Sequence, residues 1–302
     1  MHNLVKRKRF RLNLYDVFVY VFTGSFAFIC FYPMWYVIVA SLNPSTSFTQ
    51  QPPLLFPSYI PDFSYYKLII FGGVFQKALG ISLIKTLLSS AGTLLVTSAM
   101  AYGVSKKHVK GMTFINLLVI FTMFFSGGLI PYYFLLRDLR LLDTFWVMVI
   151  PAFVNAGSFV VMRNYFSYNV PKELEDAALI DGANEIIMFF AIIIPITLPM
   201  FAAIFLFEAV ASWNDWYSYL MFVENTSLQP FVWILKRLLE EPNRVFSRGS
   251  SGAQDMLIGI ANIPPASLRM TVIVCAMLPI MMLYPFLQKY FAKGIMIGAI
   301  KE

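Results

Sequence analysis

The segment that decides the fold runs from residue 144 to residue 207. It consists of an uncharged run TFWVMVIPAFVNAGSFVVM (144–162), an acidic stretch VPKELEDAALIDGANE (170–185) and a second uncharged run IIMFFAIIIPITLPMFAAIFLF (186–207). An uncharged run of about 17–25 residues is long enough to cross a bilayer as a helix. The segment therefore predicts two transmembrane helices joined by a short acidic connection.

The rest of the chain is equally apolar. Hydrophobic residues make up 59% of the 302 residues and charged residues only 13%, whereas a soluble domain carries about 25% charged residues. Four further uncharged runs are long enough to span a bilayer: Val17–Leu42, Thr86–Ser105, Gly111–Leu136 and Met270–Gln288. The helix of the run from Gly111 is expected to end early, at Gly127, Gly128 and Pro131. The sequence thus predicts an all-α membrane protein with six transmembrane helices.

The predicted helices form one transmembrane domain over residues 1–302, with core spans at about 80–292 and an N-terminal helix and external loop at 1–79. The loop after the first span is rich in proline and is expected to be irregular. The connection between the last two spans, from about Trp213 to Arg269, is too long for a simple turn. Its amphipathic part, Leu228–Leu239, is predicted to be a short external helix.

Lysine and arginine residues predict the orientation, because short cytoplasmic loops carry an excess of them. Basic residues cluster in the N-terminal segment, in the loop after the second span and in the C-terminal tail. In a chain with six spans these three regions lie on one side, which predicts a cytoplasmic N-terminus and a cytoplasmic C-terminus. The net charge of +7 is therefore attributed to the membrane topology and is not taken as a sign of nucleic-acid binding. Lys85, at the start of the second span, is expected to extend its amine to the membrane surface.

The acidic connection departs from this pattern. Pro171 suits the first turn of a helix, Gly182 suits the position after its end, where φ is positive, and Asn184 suits the cap of the next helix. A helix of roughly three turns on the cytoplasmic face is therefore expected. Amphipathic helices that lie on lipid are usually basic, so docking to a protein is favoured over contact with headgroups, although both interpretations stay open.

The same residues resemble a known signature. Asp176-Ala177-Ala178, Gly182 and Ile192–Pro195 have the spacing of the cytoplasmic signature of binding-protein-dependent importer permeases, with Asp176 in place of glutamate and isoleucine in place of leucine before the proline. Further segments resemble the carbohydrate branch of these ABC transporters, which includes the maltose-type and polysaccharide-type subunits. These segments are Ile180–Ala183, Trp213–Trp216 and Gln288–Lys301.

The resemblance implies a coupling helix over residues 171–184 that docks in a cleft of an ATPase subunit. The residues implied in this contact are Glu175, Asp176, Ala177, Ala178, Asp181 and Gly182, and the C-terminal residues 298–302 are implied to contribute. The implied partners are a second permease subunit, two ATPase subunits, an extracytoplasmic sugar-binding protein and membrane lipid. The implied location is the cytoplasmic membrane of a prokaryote.

The chain itself is not expected to be an enzyme. It contains no Gly-x-x-x-x-Gly-Lys-Ser/Thr phosphate loop, so ATP and magnesium are expected on the partner ATPase subunits and no cofactor is expected here. His2 and His108 are isolated in sequence, which does not favour a metal site. No nucleophile constellation indicates an intramembrane enzyme.

A second group of polar and aromatic residues follows the fifth span and is a candidate for the sugar path. Rings stack on the apolar faces of sugars, and carboxylates and amides bind hydroxyl groups. The candidate residues are Glu208, Trp213, Asn214, Asp215, Trp216 and Tyr219. The alternative is an aromatic belt at the membrane interface.

Two other classes remain as alternatives to a sugar permease. An importer permease for an amino acid, peptide or phosphate-type solute would share the signature but not the carbohydrate-type segments. An ion-coupled carrier or channel would carry ionisable residues at the middle of several spans, together with internal repeats. Neither feature is evident in the sequence.

Overall fold

The computed structural model describes residues 14–43, 56, 61–106, 109–240 and 265–298, and every regular element within them is helical. The α-helices are α1 Leu14–Ser41, α2 Ser64–Phe71, α3 Gly73–Ser105, α4 Met112–Phe124, α5 Leu129–Asp138, α6 Ala156–Asn169, α7 Lys172–Ile180, α8 Glu185–Ile196, α9 Leu198–Asn214, α10 Tyr217–Phe222, α11 Phe231–Glu240 and α12 Pro265–Gly298. Short 3-10 turns cover Phe145–Met148, Ile150–Phe153 and Thr226–Leu228. Within α8, Met188–Ile193 is π-helical.

Four stretches of the described chain are long and apolar enough to cross a membrane, namely α1, α3, Phe145–Asn169 and Leu268–Pro285. Helices α8 and α9 form a bent pair that would make a fifth span. With 13 residues, α4 is about 20 Å long and shorter than the ~30 Å hydrocarbon core. The all-helical prediction is confirmed for the described residues, whereas six spans with both termini in the cytoplasm stay a prediction.

The run from Gly111 divides into two helices. Helix α4 ends at Phe124, ahead of Gly127 and Gly128, as expected. Gly128 adopts a φ of 88° and precedes α5. Pro131 does not end a helix, because it lies in the first turn of α5, where the missing N–H has no intrahelical partner to lose.

The two runs on either side of the acidic connection are not single straight helices. Between residues 145 and 153 the chain forms 3-10 turns, and α6 begins at Ala156, where the Asn155 side chain accepts a hydrogen bond of 3.0 Å from the Ser158 amide. Helices α8 and α9 meet at 84° around Thr197. Pro199, in the first turn of α9, has no N–H to continue the helical ladder across this bend.

The chain divides into two compact units. One contains residues 1–67 and 258–274, and the other contains residues 68–257 and 275–302. In the first unit the hydroxyl groups of Ser41 and Tyr66 lie 2.5 Å apart, and the apolar window of α1 is not buried within the chain. The prediction of a single domain with core spans at 80–292 stays a prediction.

Helix α3 is the centre of the second unit and packs on α6, on α9 and on the 3-10 turns. Small hydroxyl residues let neighbouring backbones approach it closely. Thr93 donates to the carbonyl oxygen of Ala152 at 2.7 Å, and Thr97 donates to that of Phe153 at 2.8 Å. These bonds satisfy carbonyl groups that the 3-10 turns leave without helical partners, as a membrane interior requires.

The short amphipathic helix predicted at Leu228–Leu239 is found as α11, which starts later, at Phe231, and buries Phe231, Ile234 and Leu238. Its external position stays a prediction. The amide of Phe231 donates to the hydroxyl of Ser82 in α3 at 2.7 Å. The N-terminal basic segment, most of the proline-rich loop, residues 241–264 and residues 299–302 of the tail lie outside the described residues.

Candidate functional sites

The acidic connection forms a helix that is shorter than the predicted range of residues 171–184. Helix α7 starts after Pro171 and covers nine residues. Gly182 follows it with a φ of 83°, a conformation that side chains with a Cβ rarely adopt. Asn184 then accepts a hydrogen bond of 2.8 Å from the Ile187 amide and caps α8. The predicted helix, turn glycine and cap are therefore confirmed.

The six residues assigned to this site face in two directions. Ala178 is buried in a core that includes Met188 and Phe189, and Glu175 is half-buried. The other four, Asp176, Ala177, Asp181 and Gly182, are exposed. Helix α7 thus has an inner face, which packs on its own chain, and an outer face, which is open.

Apolar side chains next to the outer face are also uncovered. Ile180 is 86% exposed, and Leu179, Ile186 and Ile187 are exposed as well. Exposed aliphatic side chains of this kind suit contact with lipid or with a partner protein. These residues, together with Asp176, are called the outer coupling surface below.

Glu175 is held by a lysine at the end of α3. The ammonium of Lys106 lies 2.6 Å from Oε2 of Glu175 and 3.8 Å from Oε2 of Glu185. It also lies 4.5 Å from the centre of the Tyr102 ring, and the Tyr102 hydroxyl lies 3.4 Å from Oε1 of Glu175. These four residues, Lys106, Tyr102, Glu175 and Glu185, are called the Lys106 junction.

The Trp-Asn-Asp-Trp segment at residues 213–216 is also joined to α3 by a lysine. Lys85 donates to a carboxylate oxygen of Asp215 at 2.9 Å and to the Asp215 carbonyl at 2.7 Å. The Lys85 side chain is only 2% exposed and lies well inside α3. The expectation that Lys85 reaches the membrane surface is therefore wrong, because α3 begins earlier than predicted and Asp215 meets the amine within the protein.

Glu208 and Trp213 are buried between helices. Oε1 of Glu208 accepts a hydrogen bond of 2.5 Å from the Ser158 hydroxyl of α6. Trp213 is 3% exposed, and its indole N–H donates to the Ala276 carbonyl at 3.0 Å. In this structure neither side chain offers a free surface to a sugar.

Trp216 presents more of its ring. It stacks on Trp233 of α11 with ring centres 6.3 Å apart, and the ammonium of Lys236 lies 3.8 Å from the centre of the Trp216 ring. Tyr219 is buried beside Trp233. Asn214 is exposed. Of the six residues proposed for the sugar path, Asn214 is thus exposed and Asp215 and Trp216 are partly exposed, whereas Glu208, Trp213 and Tyr219 are buried.

Comparison with known proteins identifies the family of this chain. Residues 111–297 match the family described as "Binding-protein-dependent transport system inner membrane component". The chain belongs to this family. It is therefore a transport permease of the bacterial inner membrane and not an enzyme.

Two of three similar proteins are named as permeases of carbohydrate transport systems. The polygalacturonan/rhamnogalacturonan transport system permease protein YtcP of Bacillus subtilis is 33% identical, over 96% of this chain and 99% of the relative. Protein LplC of Bacillus subtilis is 34% identical, over 96% of this chain and 95% of the relative. The arabinooligosaccharides transport system permease protein AraQ of Halalkalibacterium halodurans is 29% identical, over 93% of this chain and 96% of the relative.

A chain of a solved ABC transporter has a similar fold. A chain in the crystal structure of a bacterial ABC transporter involved in the import of the acidic polysaccharide alginate aligns with a TM-score of 0.81 and 27% identity. The alignment covers 92% of this chain and 96% of that chain. The resemblance to carbohydrate importer permeases that the sequence indicated is confirmed.

The contacts of Lys85, Lys106 and Trp216, which position the two candidate sites of this permease, were not predicted from the sequence. Lys85 is an ionisable residue within an apolar run, and the rule that such a residue needs a partner in the protein could have paired it with Asp215. Lys106 belongs to the basic loop after the second span, and this pattern indicates topology without indicating a partner for the lysine. No sequence pattern indicated the stacking of Trp216 on Trp233, since the two lie on separate helices.

Proposed function

We propose that this permease forms half of the translocation pathway of an ATP-driven oligosaccharide importer. Its α7 docks to an ATPase subunit, and the ATPase cycle drives alternating access of the pathway. A second permease subunit supplies the other half of the pathway, and an extracytoplasmic binding protein delivers the sugar. ATP and magnesium bind to the ATPase subunits.

The observation that carries this proposal is the outer coupling surface. Ile180 and Asp176 are exposed, and the chain turns just after the helix at Gly182, where φ is positive. An acidic surface with aliphatic side chains suits a protein cleft that has apolar and basic walls, and it suits an anionic lipid leaflet poorly.

Relatives suggest the class of cargo. The names of two similar proteins refer to acidic polysaccharides, namely polygalacturonan and alginate. We therefore propose an oligosaccharide that contains uronic acids as the first cargo to test. Arabinooligosaccharides, which appear in the name of another relative, are the neutral sugars for comparison.

The test uses the assembled complex, purified with its partners and reconstituted in vesicles. We expect uptake of oligogalacturonides that requires ATP and the binding protein, at a higher rate than uptake of arabinooligosaccharides. Co-purification without an ATPase, or uptake that continues without ATP, would contradict the proposal. Faster uptake of the neutral sugar would contradict only the proposed cargo.

The coupling role of α7 is tested at its terminal turn. Gly182→Val places a β-branched side chain at a φ of 83°, which costs about 1–3 kcal/mol in backbone strain and shifts the outer coupling surface. We expect ATP-dependent uptake to be lost while the protein still inserts in the membrane. Gly182→Asn is the matched control, because asparagine tolerates this conformation, and it should keep most of the uptake.

A further inference from the structure

The Lys106 junction connects three helices through one ammonium group. Lys106 lies directly after the end of α3, Glu175 lies in α7, and Glu185 is the first residue of α8. The Lys106 side chain is 10% exposed and that of Glu175 is 18% exposed. A pair this far removed from water is screened less than a surface ion pair and holds its geometry more firmly.

Lys106 remains charged in this environment. Burial lowers the pKa of Lys106, but hydrogen bonds with Glu175 and Tyr102 and the charge of Glu175 outweigh burial, so its pKa is raised above the ordinary value. The ammonium is therefore protonated throughout the physiological range, and the contact with Glu175 persists.

The junction gives the two neighbouring acids of α7 different tasks. Successive residues on a helix are about 100° apart around its axis, so a contact at Glu175 determines where Asp176 points. Glu175 is bonded inside the chain, whereas Asp176 is exposed. Ala178, one turn after Glu175, packs in the core on the same inner side. The inner face thus fixes the rotation of α7 and keeps the outer coupling surface open to a partner.

The opposite part of α3 holds the Trp-Asn-Asp-Trp segment. Lys85 bonds Asp215, and Ser82 accepts the amide of Phe231 at the start of α11. Lys85 and Lys106 are 21 positions apart in the sequence, which corresponds to about 30 Å along a helix. Helix α3 is continuous between them. A rigid displacement of α3 would therefore move both its end at Lys106 and Lys85, which bonds the segment.

We propose that Lys106 is a positioning residue that links α7 to α3, so that movement of the docked coupling helix reaches the Trp-Asn-Asp-Trp segment through α3. The inference rests on the proposed function, because it requires α7 to dock to an ATPase subunit. It adds that Glu175 serves the connection within the permease, while Asp176 serves the contact with the partner.

The test measures sugar imported per ATP hydrolysed, together with the amount of assembled complex. Lys106→Met and Glu175→Gln should each lower the ratio of sugar to ATP by roughly fivefold or more at normal assembly. The double variant should be no worse than Lys106→Met alone, because both changes remove the contact between Lys106 and Glu175. Lys106→Arg keeps the charge and should keep the ratio. Lys110→Met, which removes an exposed lysine from the same loop, should not change it.

The outcomes separate this inference from the proposed function. If Gly182→Val and Asp176→Lys leave uptake normal, the docking of α7 is wrong. If those variants abolish uptake while Lys106→Met and Glu175→Gln keep the ratio, only the link through Lys106 is wrong. If Lys106→Met does not assemble, the isosteric Glu175→Gln decides, and an unchanged ratio in that variant overturns the inference. An equal loss in Lys110→Met would also overturn it, since loop charge alone would then explain the effect.

Discussion

At the scale of single residues, charged groups inside this permease are held by specific partners. The pair of Lys85 and Asp215 is asymmetric, because the Lys85 side chain is 2% exposed and that of Asp215 is 28% exposed. Water can stabilise the aspartate if its partner is removed, but the lysine depends on the protein. An unpaired buried charge costs several kcal/mol, and an ion pair with good geometry avoids this cost.

This asymmetry predicts unequal effects on stability. Asp215→Asn leaves the buried ammonium without a counter-charge and should destabilise the complex by about 3–5 kcal/mol. Lys85→Met leaves a carboxylate that water reaches, so its effect should be clearly smaller. Adding Lys85→Met to Asp215→Asn should recover part of the loss.

The measurement for these variants is the thermal midpoint of the assembled complex in detergent. Lys77→Met removes an exposed lysine from the same helix and should leave the midpoint unchanged. Equal losses in Asp215→Asn and Lys85→Met, or a double variant less stable than Asp215→Asn, would show that the pair does not act in this way.

At the scale of helices, close packing on α3 determines where the 3-10 turns between residues 145 and 153 can lie. Gly92 lies where any Cβ would collide with the ring of Phe153, which belongs to the 3-10 turn beside α3. The hydroxyl groups of Thr93 and Thr97 bond carbonyl groups of the same turn. The irregular backbone between residues 145 and 153 is therefore tolerated because α3 supplies both the space and the hydrogen-bond donors.

Replacement of this glycine should be damaging although alanine favours helices. Gly92→Ala forces Phe153 or the turn to move, and overpacking of this kind costs about 1–3 kcal/mol. Gly103→Ala is the matched control in α3, because no atom outside the adjacent backbone of its own helix lies within 4 Å of its Cβ position. We expect a lower thermal midpoint for Gly92→Ala and an unchanged or slightly higher one for Gly103→Ala. Equal midpoints would contradict the packing argument.

At the scale of the whole molecule, the proposed function requires the two sites to lie on opposite sides of the membrane. The predicted topology places α7 in the cytoplasm and the loop after α10 outside. Asn169, before α7, and Glu224, after α10, are both exposed. They are therefore suitable positions for chemical labelling.

Single cysteines test this topology after Cys30 and Cys275 have been replaced by alanine. In intact cells an impermeant maleimide should label Glu224→Cys, while Asn169→Cys should react only after the membrane is made permeable. Labelling of Asn169→Cys from outside would contradict the predicted orientation and with it the docking of α7 to a cytoplasmic ATPase.

The sequence by itself determined the membrane character, the apolar runs and the local structure of the acidic connection. These properties depend on local chemistry: hydropathy indicates the solvent, and Pro171, Gly182 and Asn184 act through the backbone conformation of their own turns. The family resemblance was also contained in the spacing of a few residues, from Asp176 to Pro195.

Only the tertiary structure decided which side chains face inward and which elements bend. Glu175 and Asp176 are adjacent and both acidic, yet one contacts Lys106 and the other is exposed, because rotation about the helix axis depends on what the helix packs against. Lys85 and Asp215 are far apart in sequence and meet only through the packing of α3 with α9. The two helices that meet at 84° around Thr197 likewise form one uninterrupted apolar run in the sequence. Hydropathy indicates how favourably a residue leaves water, but it does not indicate which residue it will contact. Those contacts depend on how distant segments of the chain pack together.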